Sequence, residues 1–158
     1  MSPLLQVLAH FLDSIEWSWE LVDEDGSVLG CSVSGESGRW NCFGQAHDER
    51  QQMVFYSLCP VVCPEDRRAA MAELIARVNY GMVLGNFELD YEDGEVRFKT
   101  SIDVEDLGFT ADGCRQLVFP NCLMMDRYLP AISAVAYSGI EPEGAVAMLE
   151  LEPDELFN

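Results

Sequence analysis

Three groups of side chains in this sequence have the types and spacing to do chemistry. Cys42, His47 and Asp48 bring a thiol, an imidazole and a carboxylate into one short stretch, the set a nucleophile, its base and an orienting acid would need. Cys59 and Cys63 flank Pro60-Val61-Val62, and a thiol at Cys63 would have its pKa lowered if it capped the helix that Pro64 opens. The third group is "ELDYEDGEVRFK", Glu88 to Lys99, where carboxylates crowd against Arg97 and the sole lysine of the chain, Lys99.

Each group has a plainer reading. A loop histidine near a strand cysteine arises by chance, and His47 sits in the polar turn "QAHDER", while His10 lies off the apolar stripe of its helix, so both face solvent. Cys59 and Cys63 have neither CxxC spacing nor an adjacent base, which favours a structural role. "DEDG" at Asp23 and "DYEDGE" at Asp90 lack the D-x-[DN]-x-[DN]-G spacing and the closing glutamate of a calcium loop, and read as turns. No Gly-rich phosphate-binding motif is present. The residues therefore point to no catalytic, cofactor-binding or metal site.

The elements that must position these residues follow from periodicity. Ser2-Pro3 caps and opens a helix in which Leu4, Leu8, Phe11 and Ile15 form one apolar stripe. From Glu16 the period becomes two, and a strand carries Trp17, Trp19 and Leu21 on one face. A three-residue Glu24-Asp25-Gly26 loop, with Gly26 left-handed, sets Leu21 opposite Leu29, Trp19 opposite Cys31 and Trp17 opposite Val33. The turn at Gly35–Gly38 then sets Val33 beside Trp40 and Cys31 beside Cys42. "QMVFYSLC" is apolar on both faces and reads as a strand interior to the sheet or covered on both sides.

Pro64 opens a second helix whose core side is Met71, Leu74, Ile75 and Val78, ending at Gly81. Asp93-Gly94 marks a two-residue hairpin turn, which predicts Asp90 opposite Arg97, Glu88 opposite Lys99, Leu89 opposite Phe98 and Phe87 opposite Thr100. The charges of the third group are then cross-strand ion pairs on a solvent face, not an active site. Thr110 caps a long helical region reaching Ser138-Gly139, with Pro120 and Pro130 predicting two abutting helices or one bent one. One short helix follows Glu141. Adjacent hairpins with one-sided apolar faces indicate the α+β class, an antiparallel sheet with helices packed on it.

The chain of 158 residues fits one domain over residues 1–150, followed by an acidic tail at 151–158. Twenty-eight acids against nine bases give a formal charge of -19, so nucleic acid and membrane surfaces are poor partners. The N-terminal segment has no basic region or cleavage site of a signal peptide, and the cytoplasm is the expected compartment. The six cysteines then stay reduced.

Three stretches, "FYSLCPVVCPEDRRAAMAELIARVNYG", "LGNFELDYEDGEVRFKTSIDVE" and "MDRYLPAISAVAYSG", make the chain resemble the YbjN-domain family, bacterial proteins labelled as sensory transduction regulators. The resemblance spans roughly residues 50 to 150, and the combination of GNFELD, DGEVR and MDRYLP carries it. Pro120 and Cys63 depart from the usual pattern. The resemblance implies a fold similar to type III secretion chaperones, small acidic dimers that hold other polypeptides, and it implies no active site. The expectation is a non-catalytic, chaperone-like adaptor, a homodimer with an unidentified protein client; the alternative is a thiol-dependent redox protein or other enzyme. Met124, Met125 and Tyr128, on a stretch of adaptable methionines, are the candidate protein-binding residues, against the plainer reading of helix core.

Overall fold

The computed structural model describes residues 1–150. Its chain order is α1 (Pro3–Ser14), β1 (Trp19–Leu21), β2 (Val28–Ser34), β3 (Arg39–His47), β4 (Gln52–Val62), α2 (Arg68–Asn79), β5 (Asn86–Leu89), β6 (Glu95–Asp103), α3 (Ala111–Tyr137) and α4 (Pro142–Glu150). The strands form one antiparallel sheet in the order β1-β2-β3-β4-β6-β5. The acidic tail expected at 151–158 lies outside the described residues.

Alternation places one face of every long strand in the core. Leu29, Cys31 and Val33 of β2, Trp40 and Cys42 of β3, Met53, Phe55 and Cys59 of β4, and Val96 and Phe98 of β6 are all buried. Helices α1 and α3 cover that face, α1 through Leu5, Leu8 and Leu12 and α3 through Val118, Met125 and Ile132. The other face carries no helix, so β4 is interior to the sheet but covered on one side only, with Val54, Tyr56 and Leu58 half-buried. At α1 the cap is as expected: the Ser2 hydroxyl accepts from the Leu5 N–H at 3.2 Å.

Helix α3 runs as one continuous helix through both prolines, not as two abutting ones. Pro120 supplies no N–H to the carbonyl of Gln116, an exposed residue, while the buried side of that turn faces the sheet. There the Thr100 hydroxyl donates to the Leu117 carbonyl at 2.6 Å. Fully buried Asn121 donates to the carbonyls of Phe55 (2.8 Å) and Phe98 (3.2 Å) and to Thr100 Oγ1 (3.1 Å). At the far end of α3, Arg67 donates to the carbonyls of Val135 and Ile140, both at 2.8 Å, which completes the helix terminus.

Two expected strand features are corrected. Trp17 does not continue β1 opposite Val33; Glu16 takes a left-handed φ of 61°, the Trp17 N–H donates back to Leu12 O, and the indole packs edge-on against Phe119. The end of α1 thus claims a residue that alternation assigned to the sheet. The pairs Leu21–Leu29 and Trp19–Cys31 do form, around a left-handed Gly26.

The second correction is the β5–β6 register, which pairs Phe87 with Phe98, Glu88 with Arg97 and Leu89 with Val96, two residues from the expected alignment. A two-residue turn at Asp93-Gly94 needs positive φ at both residues, and only Gly94 has it, at 82°. The loop instead spans Tyr91 to Gly94. It is closed by Gly94 N–H to Asp90 O at 2.8 Å and by Asp90 and Asp93 carboxylates accepting from the N–H groups of Glu92 and Glu95. Cys63 and Arg68 dock it from outside, Cys63 N–H to Gly94 O at 2.9 Å and Arg68 to the carbonyls of Tyr91 and Glu92. A Cβ on Gly94 would fall 2.1 Å from the Cys63 carbonyl oxygen. An even shift preserves the faces, so Phe87 still enters the core.

Thr100→Val keeps the shape of the side chain and removes two of the four hydrogen bonds at the α3 clasp. The expected result is a loss of about 1–3 kcal/mol, read as a lower urea midpoint with an unchanged slope; an unchanged midpoint would show that these two bonds contribute nothing.

Candidate functional site

The thiol, imidazole and carboxylate of the first group do not converge. Cys42 is fully buried on the core face of β3, and His47, five residues along the same strand, projects from the opposite face into solvent. Asp48 instead sits at the head of α1, where its carboxylate accepts from the Leu4 N–H at 3.4 Å. His10 is exposed too. Among the described residues, no three His, Cys, Asp or Glu side chains are placed to hold a metal ion.

All six cysteines are buried and unbonded. Cys31 and Cys42 face each other across β2 and β3; their mutual contact and their burial push the Cys31 thiol far above its ordinary pKa. A further contact with Cys122 raises Cys42. Burial lifts Cys59 to about 11 and Cys114 to about 12. Cys63 does not cap a helix. Pro64 precedes the short 3₁₀ turn there, the Cys63 thiol donates to the Pro64 carbonyl at 3.6 Å, and burial outweighs Arg68 and Arg67 to raise its pKa. The depressed thiol pKa that a redox role asks for at Cys63 is absent.

The charged group on the hairpin is a three-residue ion cluster. Glu88 accepts from Arg97 at 2.6 Å and from Lys99, while Asp90, expected opposite Arg97, belongs to the loop. The Arg97 guanidinium also lies 4.2 Å over the ring of Tyr56 on β4. Partial burial raises the Glu88 pKa, but the hydrogen bonds and charges of Lys99 and Arg97 outweigh it and hold the carboxyl below its ordinary value.

The candidate protein-binding residues divide. Met125 is fully buried beneath α3 and offers no surface, Met124 is half-buried, and Tyr128 stacks edge-on against Phe87 at 5.4 Å between centroids. Periodicity does not reveal the surface that remains open, the uncovered face of the sheet. On it Phe43 and Tyr56 are paired across β3 and β4, Val54 and Leu58 flank Tyr56 on β4, and the Glu88–Arg97–Lys99 cluster borders them. At its β1 end a hollow of about 610 Å³ opens between Glu20 and Val22 on one side and Asn41 and Phe43 on the other. The stretch "QMVFYSLC", apolar on both faces, is the one sequence signal for this face.

A family profile described as "Putative bacterial sensory transduction regulator", YbjN, matches residues 4–133. The chain belongs to the YbjN family. Its fold is that of type III secretion chaperones. A chain from the structure titled "Structure of the HopA1-SchA Chaperone-Effector Complex" matches at a TM-score of 0.51 and 17% identity, over 80% of this chain and 92% of the other. One from "Crystal Structure of the ExsC-ExsE Complex" matches at 0.50 and 16% identity, over 82% and 96%. No curated protein matches.

Within this YbjN chain the motifs that carry the resemblance build the fold. In MDRYLP, Met125 fills the core and the Asp126 carboxylate accepts from the N–H groups of Glu36 (3.0 Å) and Ser37 (2.8 Å) in the β2–β3 turn. In GNFELD and DGEVR, Phe87 and Val96 are buried, Glu88 and Arg97 pair, and Asp90 and Gly94 close the loop.

Two outcomes test these assignments. In native YbjN chain a thiol reagent at pH 8 is expected to react slowly with every cysteine, and all six should titrate after denaturation; one thiol reacting at the rate of a free cysteine would mark a reactive site. Glu88 has a folded pKa below its unfolded value of about 4.3, so its contribution is full above that value and is lost as the pH falls through the folded one. Glu88→Gln should therefore lower stability at pH 7 by up to about 1 kcal/mol, and the difference should narrow progressively in denaturation curves taken as the pH falls below about 4.3. A difference that persists in acid would assign the loss to packing.

Proposed function

We propose that this YbjN protein is a non-catalytic adaptor that binds another polypeptide in the manner of a chaperone, acts in the cytoplasm and needs no cofactor. The observation that carries the reading is a six-stranded sheet with one face uncovered, in a fold shared with chains of chaperone complexes. That face is apolar at Phe43, Tyr56 and Leu58 and charged at its border, the composition of a surface that associates reversibly. The functional groups support the reading from the other side, since the cysteines are buried and the histidines stand apart. The net charge of -19 steers basic segments towards the protein and repels acidic ones.

The adaptor works as a homodimer in this reading. Between α2 and β5 the chain exposes Tyr80 (92%), Val83 (89%) and Leu84 (51%), in a stretch from Val78 to Phe87 with no charged residue. Two chains of like charge associate most readily through such a surface, and a two-fold arrangement is the commonest outcome. Half-buried Met124 and Tyr128 flank the core beneath β5 and belong to the same proposal as candidate binding residues.

Affinity-tagged protein recovered from its own cell extract should bring down a polypeptide in stoichiometric amount, identified by mass spectrometry. Recovery of the chain alone, with turnover of a small molecule, would replace the adaptor by an enzyme. Light scattering should give twice the 17.7 kDa chain mass, with dimer favoured as salt rises and screens the repulsion. Val83→Asp should shift the protein to monomer; a mass of one chain at every concentration and salt would remove the dimer.

A further inference from the structure

The two edges of the sheet are finished differently. At β5 the Asp90 N–H bonds to Glu95 O, which fixes Glu88 and Asn86 as the residues turned towards β6 and leaves Phe87 turned outward. The outward groups of Phe87 are filled by side chains: Asn79 at the end of α2 accepts from the Phe87 N–H at 2.8 Å and donates to its carbonyl at 3.0 Å, and Asn86 donates to the same carbonyl at 3.2 Å. A side-chain amide there takes the place of a neighbouring strand at the middle of β5.

At β1 the same reasoning gives the opposite result. The Val22 N–H bonds to Val28 O at 3.0 Å, so Val22 and Glu20 face β2, and the backbone N–H and C=O of Trp19 and Leu21 point away from the sheet. Among the described residues none donates to or accepts from them. The side chains beside this edge are incomplete as well. Leu21 is 45% exposed although its partner Leu29 is fully buried, and Trp19 is half-exposed opposite buried Cys31, because no strand covers their outer sides. On the other face of β1, Glu20 borders the hollow, with Arg39 further in. From Asp13 to Asp25 the chain carries six acids and no base.

We propose that β1 is an open docking edge which takes one extended segment of another polypeptide as a seventh strand, with aliphatic residues alternating with Lys or Arg. The inference rests on the adaptor reading and names its surface. The backbone of the segment pairs with the free N–H and C=O groups of Trp19 and Leu21. Its aliphatic side chains lie on the helix-covered face against Trp19 and Leu21, and its basic ones on the open face against Glu20, within the field of the acids around it. An acidic segment fits the backbone equally well and is repelled by the charge. A second copy of this chain is disfavoured as occupant, because its own edge is acidic in the same places.

The test uses the full chain and a fluorescent acetylated peptide of four Lys-Val repeats. Binding is read by anisotropy, and its position by backbone amide hydrogen exchange. The peptide should bind, should slow exchange at the amides of Trp19 and Leu21, and should weaken with salt. Leu21→Pro removes one outward donor while leaving the groups that face β2, a position where an edge strand accepts proline, and should weaken binding by about tenfold or more. If that variant fails to fold, the peptide N-methylated at alternate residues makes the same test on the native protein and should not bind. Equal binding of a Glu-Val peptide, of the N-methylated peptide or to the Leu21→Pro variant would overturn the edge, as would protection at β5 instead. A cellular partner still recovered with folded Leu21→Pro protein would likewise overturn the edge while leaving the adaptor reading intact.

Discussion

The structure depends on how a proline-bearing helix is seated on the sheet. Inside α3 Pro120 withholds a donor from the carbonyl of Gln116, an exposed residue, where water can serve it. The buried side of the same turn is held by two strands. Thr100 of β6 supplies a hydroxyl to the Leu117 carbonyl, and Asn121 reaches across to backbone carbonyls of β4 and β6 at once. The nitrogen assignment of that amide follows from its surroundings, since both carbonyls can only accept. A polar clasp in a core otherwise lined by Phe55, Phe98 and Met125 fixes where α3 lies along the sheet more sharply than apolar packing does.

Seating α3 and α1 on one face decides the fate of the other. With no helix left to cover it, the open face has to remain compatible with water, and Asn41, Ser32, Arg97 and Lys99 make it so around Phe43 and Tyr56. The Arg97 guanidinium shields the Tyr56 ring while it is held by Glu88, which reduces the apolar area left to solvent without removing it. An uncovered sheet also has two edges, and α2 reaches only one of them. Its last residue, Asn79, holds the outward groups of Phe87 on β5, whereas β1 at the far side has α1 ending beneath it and nothing alongside among the described residues.

Where the sequence could be read correctly, a local rule and the tertiary environment agreed. The α1 cap and stripe, the β2–β3 register and the left-handed Gly26 are set by neighbours close in the chain, and apolar alternation on both strands of each pair admits one alignment. The hairpin register failed because charge pairing tolerates a two-residue slip: Glu88 meets Lys99 directly in one alignment and diagonally in the other. What selected between them was Cys63 and Arg68, which come from a distant segment and dock the loop. Trp17 failed for a similar reason, since alternation continues through it while Leu12 and Phe119 hold it against α1. Met125 illustrates the limit of residue type. A methionine suits an adaptable surface and a core gap equally, and only the seating of α3 distinguishes them.

The residues that made the chain recognisable as a YbjN protein are, one by one, residues that close turns and fill the core. Asp126 holds a turn, Gly94 admits the Cys63 carbonyl, Phe87 stacks between Phe98 and Tyr128, and Glu88 aligns two strands. A sequence matched through such positions identifies the scaffold and carries little information about what the scaffold holds. Selectivity for a partner must then reside where the scaffold makes no demand on the side chain. In this chain those positions lie on the uncovered face and along β1, where Glu20, Leu21 and Val22 are exposed and none is needed to bury the core. A fold that confines its structural requirements to one face of a sheet leaves the other free to vary, and under the docking proposed for β1 the acidity of that free edge is what would select a basic segment.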